Sequence, residues 1–186
     1  WYYTRTVAGQ EYAVHARVPV ATSPQRPVLD GDGPPAGEQV LLDENAEAAG
    51  GFLALGANET SPDGQLLAYS TDRTGDERYD LVVRDLRTGA TLDTTITGIG
   101  EGLAWSLDGT QVFYSRLDDA WRPHEVWRHR VGAPADTDRL VLVEIGDELL
   151  DRDHRDPVAL AQLQQSGQAH HAAVLGDDLG DRAHRT

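Results

Sequence analysis

Short runs of apolar strand formers, broken by polar turns with Gly, Pro and Asp, recur along residues 1–147, and this strand texture disappears from residue 148 on. Trp1-Tyr2-Tyr3-Thr4-Arg5-Thr6-Val7 is rich in strand formers, Ala8-Gly9-Gln10-Glu11 supplies a turn, and Tyr12 to Arg17 alternates on the way back, so residues 1–17 are expected to form a hairpin. Residues 18–38 hold five Pro and three Gly and read as a loop or linker. Gln39 to Glu47 is expected to add a short strand followed by a helical turn.

The strongest pattern is an internal repeat. Ser61-Pro62-Asp63-Gly64 recurs as Ser106-Leu107-Asp108-Gly109, 45 positions later, and the register then holds without a gap. Leu66-Leu67-Ala68-Tyr69-Ser70 aligns with Gln111-Val112-Phe113-Tyr114-Ser115, and Leu81-Val82-Val83 with Val126-Trp127-Arg128. Each unit reads as turn, strand, polar turn, strand, turn, with Asp-Gly at the positive-φ corner. Four short strands in ~40–45 residues is the period of a β-propeller blade. The competing reading, an antiparallel sandwich with two chance turns, does not account for the gapless register. A blade buries its faces only by stacking on neighbours. The expectation is therefore an all-β, partial propeller of about two to three blades. Its uncovered blade faces and open strand edges would favour self-association.

Charge narrows the partners. With 31 acidic against 16 basic residues, every one of the latter Arg, the net charge is −15. That excess argues against nucleic acid and anionic membranes, both of which need clustered cations. The absence of Cys removes disulfides, thiolate metal sites and Cys nucleophiles. No apolar run reaches the ~20 residues of a spanning helix, and Trp1-Tyr2-Tyr3 opens without a basic-then-apolar signal pattern. A cytoplasmic chain beginning mid-strand is the expectation.

The search for chemistry assigns no catalytic, cofactor-binding or metal-ligating residue. The six Ser (Ser23, Ser61, Ser70, Ser106, Ser115 and Ser166) all lack the Gly-x-Ser-x-Gly setting of a nucleophile elbow. Phosphate-cradling glycine loops and HExxH are missing as well. His154, His170, His171 and His184 lie in the last part of the chain without supporting carboxylate spacing for a metal. Asp30-Gly31-Asp32-Gly33 opens like a calcium loop, but Leu41 stands where the bidentate Glu belongs. Asn58-Glu59-Thr60 has the letters of a glycosylation sequon and reads as a polar loop. Asp76-Glu77-Arg78 reads as a solvated or ion-paired blade turn, or as a polar contact with a central channel or partner domain. Trp105, Trp121 and Trp127 are expected in blade cores or between blades.

Several of these segments together resemble the propeller of the prolyl oligopeptidase family, in its oligopeptidase B (protease II) branch. They are Leu66–Ser70 with Thr74-Gly75-Asp76-Glu77-Arg78-Tyr79 and Arg84-Asp85-Leu86-Arg87-Thr88-Gly89, then Arg122 to Gly132, Tyr2-Tyr3-Thr4-Arg5 with Gly9 and Tyr12, and Val40 to Asn45. The resemblance covers residues 1–148 and implies a serine peptidase in which a seven-bladed propeller caps an α/β-hydrolase domain and admits short peptides. Triad, oxyanion hole and acidic pocket for Arg or Lys belong to that other domain, so no catalytic residue carries over and the chain is expected to be inactive alone. Peptide substrate would be met through the hydrolase domain, with no cofactor. The alternatives are a stand-alone propeller-like interaction module and the non-functional product of a truncated gene.

After Glu148 the resemblance stops, aromatics are gone, and Asp, Gly, Arg and His dominate the end of the chain. Pro157 to Gln165 is at most weakly helical. Back-translated with chosen codons, Leu149 to Pro157 yields Phe-Trp-Ile-Gly-Ile-Thr-Gly-Thr-Arg one base later, which restores the aromatic strand the family has there. Residues 149–186 are therefore expected to be a disordered or out-of-frame tail.

Overall fold

A computed structural model describes residues 1–23, 25–29, 33–145 and 148–151. Its strands form three antiparallel sheets. The first contains β1 (Tyr2–Arg5), β2 (Val14–Arg17) and β3 (Gln39–Asp43) in that order. The expected hairpin pairs Tyr2 with Arg17 and Arg5 with Val14. The expected helical turn is α1 (Glu44–Ala48), whose N-terminal amides of Asn45 and Ala46 are capped by the Asp43 carboxylate.

The second sheet, in sequential order, is β4 (Ala54–Thr60), β5 (Leu66–Asp72), β6 (Asp80–Asp85) and β7 (Thr91–Asp93). The third runs β8 (Leu103–Trp105), β9 (Gln111–Leu117), β10 (Pro123–Arg130), β11 (Arg139–Ile145) and β12 (Glu148–Asp151), with a single 3₁₀ turn at Ala135–Thr137 before β11. These are three successive blades of a partial β-propeller. Strand pairing continues to Asp151, three residues past the boundary at 148; the rest of the expected tail, with its four His and Pro157 to Gln165, lies outside the described residues. So do Asp30, Gly31 and Asp32 of the calcium-like loop.

The 45-residue repeat is reproduced bond by bond. Ser61 Oγ donates to Asp63 Oδ1 (2.6 Å) and accepts from Leu66 N (2.9 Å); Ser106 Oγ donates to Asp108 Oδ1 (2.6 Å) and accepts from Gln111 N (3.0 Å). Gly64 and Gly109 close the two turns at φ +69° and +68°, a region that costs a residue with a Cβ.

Blade 2 explains why one blade cannot stand alone. Side chains of β5 alternate between faces. Leu67 and Tyr69 pack with Leu41 and Leu42 of blade 1. Ala68, with Leu81 and Val83 of β6, packs on the other side with Leu103, Trp105, Val112 and Tyr114 of blade 3 and with Ile96 and Ile99 of the connection. Leu67, Ala68 and Val83 have no exposed surface, so both faces of this sheet are interior. The near-continuous apolar run of β5 is the sequence mark of that double burial.

One expectation is corrected: Asn58-Glu59-Thr60 is not a loop, since it ends strand β4. Trp121 takes the second of its two expected places, between blades and not in a core: it is 44% exposed in the β9–β10 connection, with φ +64°. The turn around Asp118 needs a left-handed residue at that position and lifts the indole out of the sheet. Trp105 and Trp127 do pack at the joint between blades 2 and 3.

Candidate functional site

Chain direction places the connections within each blade at two opposite ends. The Ser-x-Asp-Gly turns lie at one end. At the other lie the β1–β2, β5–β6 and β9–β10 connections and the segment from α1 into β4. Each of the latter group is organised by a buried or shared polar side chain.

The β5–β6 connection contains Asp76-Glu77-Arg78. Its anchor is Asp72, only 2% exposed at the end of β5. Asp72 Oδ1 accepts from Thr74 N (2.7 Å), Gly75 N (2.9 Å) and Thr74 Oγ1 (2.9 Å), and Oδ2 accepts from Glu77 N (2.8 Å). Burial works against the Asp72 charge, but those amides outweigh it and hold its carboxyl below the usual carboxylate range. The chain closes over this carboxylate with Glu77 at φ +56°.

The β9–β10 connection repeats the device. Asp118 Oδ1 accepts from Ala120 N (2.8 Å) and Arg122 N (2.9 Å), and Oδ2 receives the Arg122 guanidinium through Nε (3.0 Å) and Nη2 (2.8 Å). Trp121, left-handed like Glu77, then stands beside the neighbouring loop: the Arg78 guanidinium lies 4.9 Å from its ring centroid. The three charged residues of this cluster are exposed, as expected of a solvated blade turn, and make no ion pair among the described residues. Its Arg bridges two adjacent blades by a cation–π contact. Half-exposed Phe52 adds a second aromatic beside Gly75, and the Tyr12 hydroxyl ties the end of blade 1 to Gly51 O and Leu53 N. Left-handed non-glycine residues in equivalent loops of neighbouring blades are stored strain of the kind that gathers at contact sites.

A second feature is the gap between β1 and the inner strand β4, a cavity of about 380 Å³ lined by Tyr2, Thr4, His15, Asn58, Glu59 and Thr60 among others. Burial raises the Glu59 carboxyl. His15 Nε2 meets Glu44 Oε1 at 2.6 Å and Nδ1 faces Thr4 Oγ1 at 3.3 Å. Hydroxyl, imidazole and carboxylate in a file invite comparison with a nucleophile relay. The Thr4 contact is exposed and at the long limit of a hydrogen bond, however, so it serves the hairpin surface. The core serines are committed elsewhere: Ser70 Oγ accepts from Ala57 N and donates to Glu101 O, and Ser61 and Ser106 hold their turns. Among the described residues no cluster of three or more His, Asp and Glu is arranged to hold a metal, and no helix is long and apolar enough to cross a membrane.

Sequence reasoning singled out the Asp76–Arg78 turn but missed Asp72 as its anchor and Phe52 as its neighbour. An Asp two residues before a Thr-Gly was the available signal, since a carboxylate there caps the amides of a tight turn.

A sequence profile described as the prolyl oligopeptidase N-terminal beta-propeller domain matches residues 1–150. The chain is 40% identical over 152 residues to dipeptidyl aminopeptidase BI of Pseudoxanthomonas mexicana, covering 79% of this chain and 21% of that protein. It is 31% identical over 150 residues to protease 2 of Moraxella lacunata, with the same coverage of each. Oligopeptidase B from Leishmania major superposes with a TM-score of 0.67 at 29% identity, covering 78% of this chain and 19% of that one. The chain thus spans 21% of the length of these curated relatives.

Proposed function

Because the chain belongs to the prolyl oligopeptidase family, within its N-terminal β-propeller domain, we propose that it is the substrate-gating propeller portion of a serine oligopeptidase similar to oligopeptidase B. The parent enzyme cleaves short peptides after Arg or Lys in the cytoplasm, through an α/β-hydrolase domain, and this chain alone is inactive. Stacked blades restrict entry to the hydrolase domain, and the loop end carrying Phe52, Arg78 and Trp121 is the contact face for that domain. Nucleic acid and membranes are not partners, and the free edge of β1 is the place where copies of the chain associate.

The observation that carries this reading is the double-faced burial of blade 2, which makes the chain a segment of a ring with a wall and an inner edge. Glu59 and Glu101 lie at that inner edge, on β4 and just before β8, where negative charge draws cationic peptides toward the axis. A second reading follows from the name of the 40% identical relative, a dipeptidyl aminopeptidase: the parent removes dipeptides from N-termini.

The test compares the parent enzyme with and without residues 1–151 on short and long fluorogenic peptides carrying Arg, Lys or neutral residues before the scissile bond. Gating predicts that deletion narrows the rate difference between short and long peptides and that Arg and Lys substrates are preferred. Unchanged length discrimination overturns the gating role. Cleavage confined to N-terminal dipeptides replaces the first substrate reading with the second.

A further inference from the structure

Among the described residues, the most completely buried ionisable side chain is one that the proposed function leaves unused. His129, on β10, has no exposed surface. Its Nδ1 lies 2.7 Å from Asp138 Oδ1, and its Nε2 lies 3.4 Å from Asp93 Oδ1. Asp93 closes β7 of blade 2, whereas His129 and Asp138 belong to blade 3. The imidazole therefore sits across the joint between two blades, with a carboxylate on each ring nitrogen.

The remaining oxygens of both carboxylates are occupied by donors. Asp93 Oδ2 accepts from Gly132 N (2.8 Å), and Asp138 Oδ2 accepts from the Tyr114 hydroxyl (2.9 Å). The Arg116 guanidinium lies beside Tyr114, 5.8 Å from its ring centroid. Each aspartate is thus surrounded as an ionised acceptor. An ionised carboxylate cannot donate, so the Asp138 contact needs a proton on Nδ1, and an ion pair with Asp93 needs a second one on Nε2. A neutral imidazole carries one N–H and leaves the other nitrogen's lone pair against a buried carboxylate, which is costly in a low-dielectric interior. Nε2 is the weaker half: 3.4 Å from Asp93 Oδ1, it is within ion-pair reach but makes no hydrogen bond.

We propose that His129 is a charged clamp between blades 2 and 3, and that loss of its Nε2 proton releases Asp93 and loosens that joint. The direction follows from the charges. Protonated His129 neutralises one of two buried carboxylates; deprotonated, it leaves both uncompensated. The joint is tight on the acid side of the His129 titration and loose on the alkaline side. The Gly132 amide, which donates to Asp93 across the same joint, reports the change. No proton passes to another protein group: it is exchanged with solvent as the joint opens.

The experiment is made on the full chain. Long-range ¹H–¹⁵N correlation of the histidine rings, followed over the pH range in which the chain stays folded, reads the protonation of each His129 nitrogen. Hydrogen exchange of the Gly132 amide, expressed as a protection factor, reads the joint. The expected result is two ring protons at the acid end, loss of the Nε2 proton as pH rises, and a fall of at least about tenfold in Gly132 protection over the same titration. Asp93→Asn retains a side-chain oxygen for the Gly132 amide, and its Gly132 protection is expected to be independent of His129 titration. A single ring proton throughout overturns the clamp. A titration that leaves Gly132 protection unchanged, or that changes it equally in Asp93→Asn, overturns its role in the joint. His129→Gln is the second variant: if it folds, the alkaline loss of protection disappears, and if it does not, the Asp93→Asn comparison still decides.

Discussion

Trp105 donates its indole N–H to the backbone carbonyl of Glu59 at 2.9 Å, reaching from the first strand of blade 3 to the first strand of blade 2. The ring is 7% exposed, and its body fills the joint between Ala68, Leu103 and Val112. One side chain thus supplies both the apolar filling and the polar alignment of two neighbouring inner strands. Trp105→Phe keeps most of the filling and is expected to cost about 1 kcal/mol, the worth of the lost hydrogen bond. Trp105→Ala empties the joint and is expected to cost about 3–5 kcal/mol. Urea unfolding midpoints of the two variants give the comparison: no loss in Trp105→Phe would show that the hydrogen bond contributes nothing, and equal losses in the two would show that the filling contributes nothing.

The paired Ser-x-Asp-Gly turns offer an internal control. Their hydrogen bonds match, but Ser61 is 3% exposed and Ser106 is partly open to solvent. Ser61→Ala leaves the Leu66 amide without its acceptor at a buried side-chain position and is expected to cost about 1–2 kcal/mol, while Ser106→Ala costs about half of that because water replaces the hydroxyl. Denaturant titration of both variants checks the ranking.

Gly56 has a packing role that its conformation does not reveal. Its φ is not positive, yet a Cβ there would stand 2.6 Å from Ser70 Oγ and 2.8 Å from Tyr79 Cδ1. Gly56→Ala must push the tyrosine ring away, at an expected cost of about 1–3 kcal/mol. Gly9→Ala meets no neighbour and bears only the positive-φ penalty, about 1 kcal/mol. Thermal unfolding of the two variants separates close approach from backbone strain.

These cases show what the sequence makes legible. The repeat revealed the blades because turn chemistry is local: Ser, Asp and Gly within four residues specify their own hydrogen bonds. Hairpin, loop, strand and helical turn before residue 48 followed from the same local rules. Relations between blades were not legible. Trp121 and Trp105 carry the same letter, and only the left-handed turn behind Asp118 sends one outward while the other fills a joint. His129, in an alternating basic strand, looks like a solvent-facing residue until Asp93 and Asp138, 36 residues before it and nine after it, are brought to its two nitrogens. For the candidate contact face, the Asp76–Arg78 charges stood out, but their partner Trp121 lies in another blade.

Acid sensitivity follows from the turn carboxylates. Asp63, Asp72, Asp85, Asp108 and Asp118 are all held below their ordinary range. The causes, largest first, are the Ser61 hydroxyl for Asp63, the Thr88 amide for Asp85, the Ser106 hydroxyl for Asp108 and the Arg122 amide for Asp118; for Asp72, turn amides overcome burial. A folded pKa below the unfolded one means that the stabilisation is present above the unfolded value, ~3.9, and is lost as pH falls through the depressed folded values. Glu59 has the opposite sign: its raised pKa relieves the folded state as pH falls. These carboxylates predict a melting temperature that drops below about pH 4, with a smaller drop in Asp72→Asn. Calorimetry between pH 7 and pH 2 checks it.

The most direct test of the central claim, that these residues form a gating wall with no hydrolytic machinery of their own, is a peptidase assay on the chain alone with Arg-containing fluorogenic peptides. The account predicts no turnover and no reaction with a serine-directed covalent inhibitor. Turnover abolished by that inhibitor, and retained by the isolated 186-residue chain after repeated purification, would contradict it.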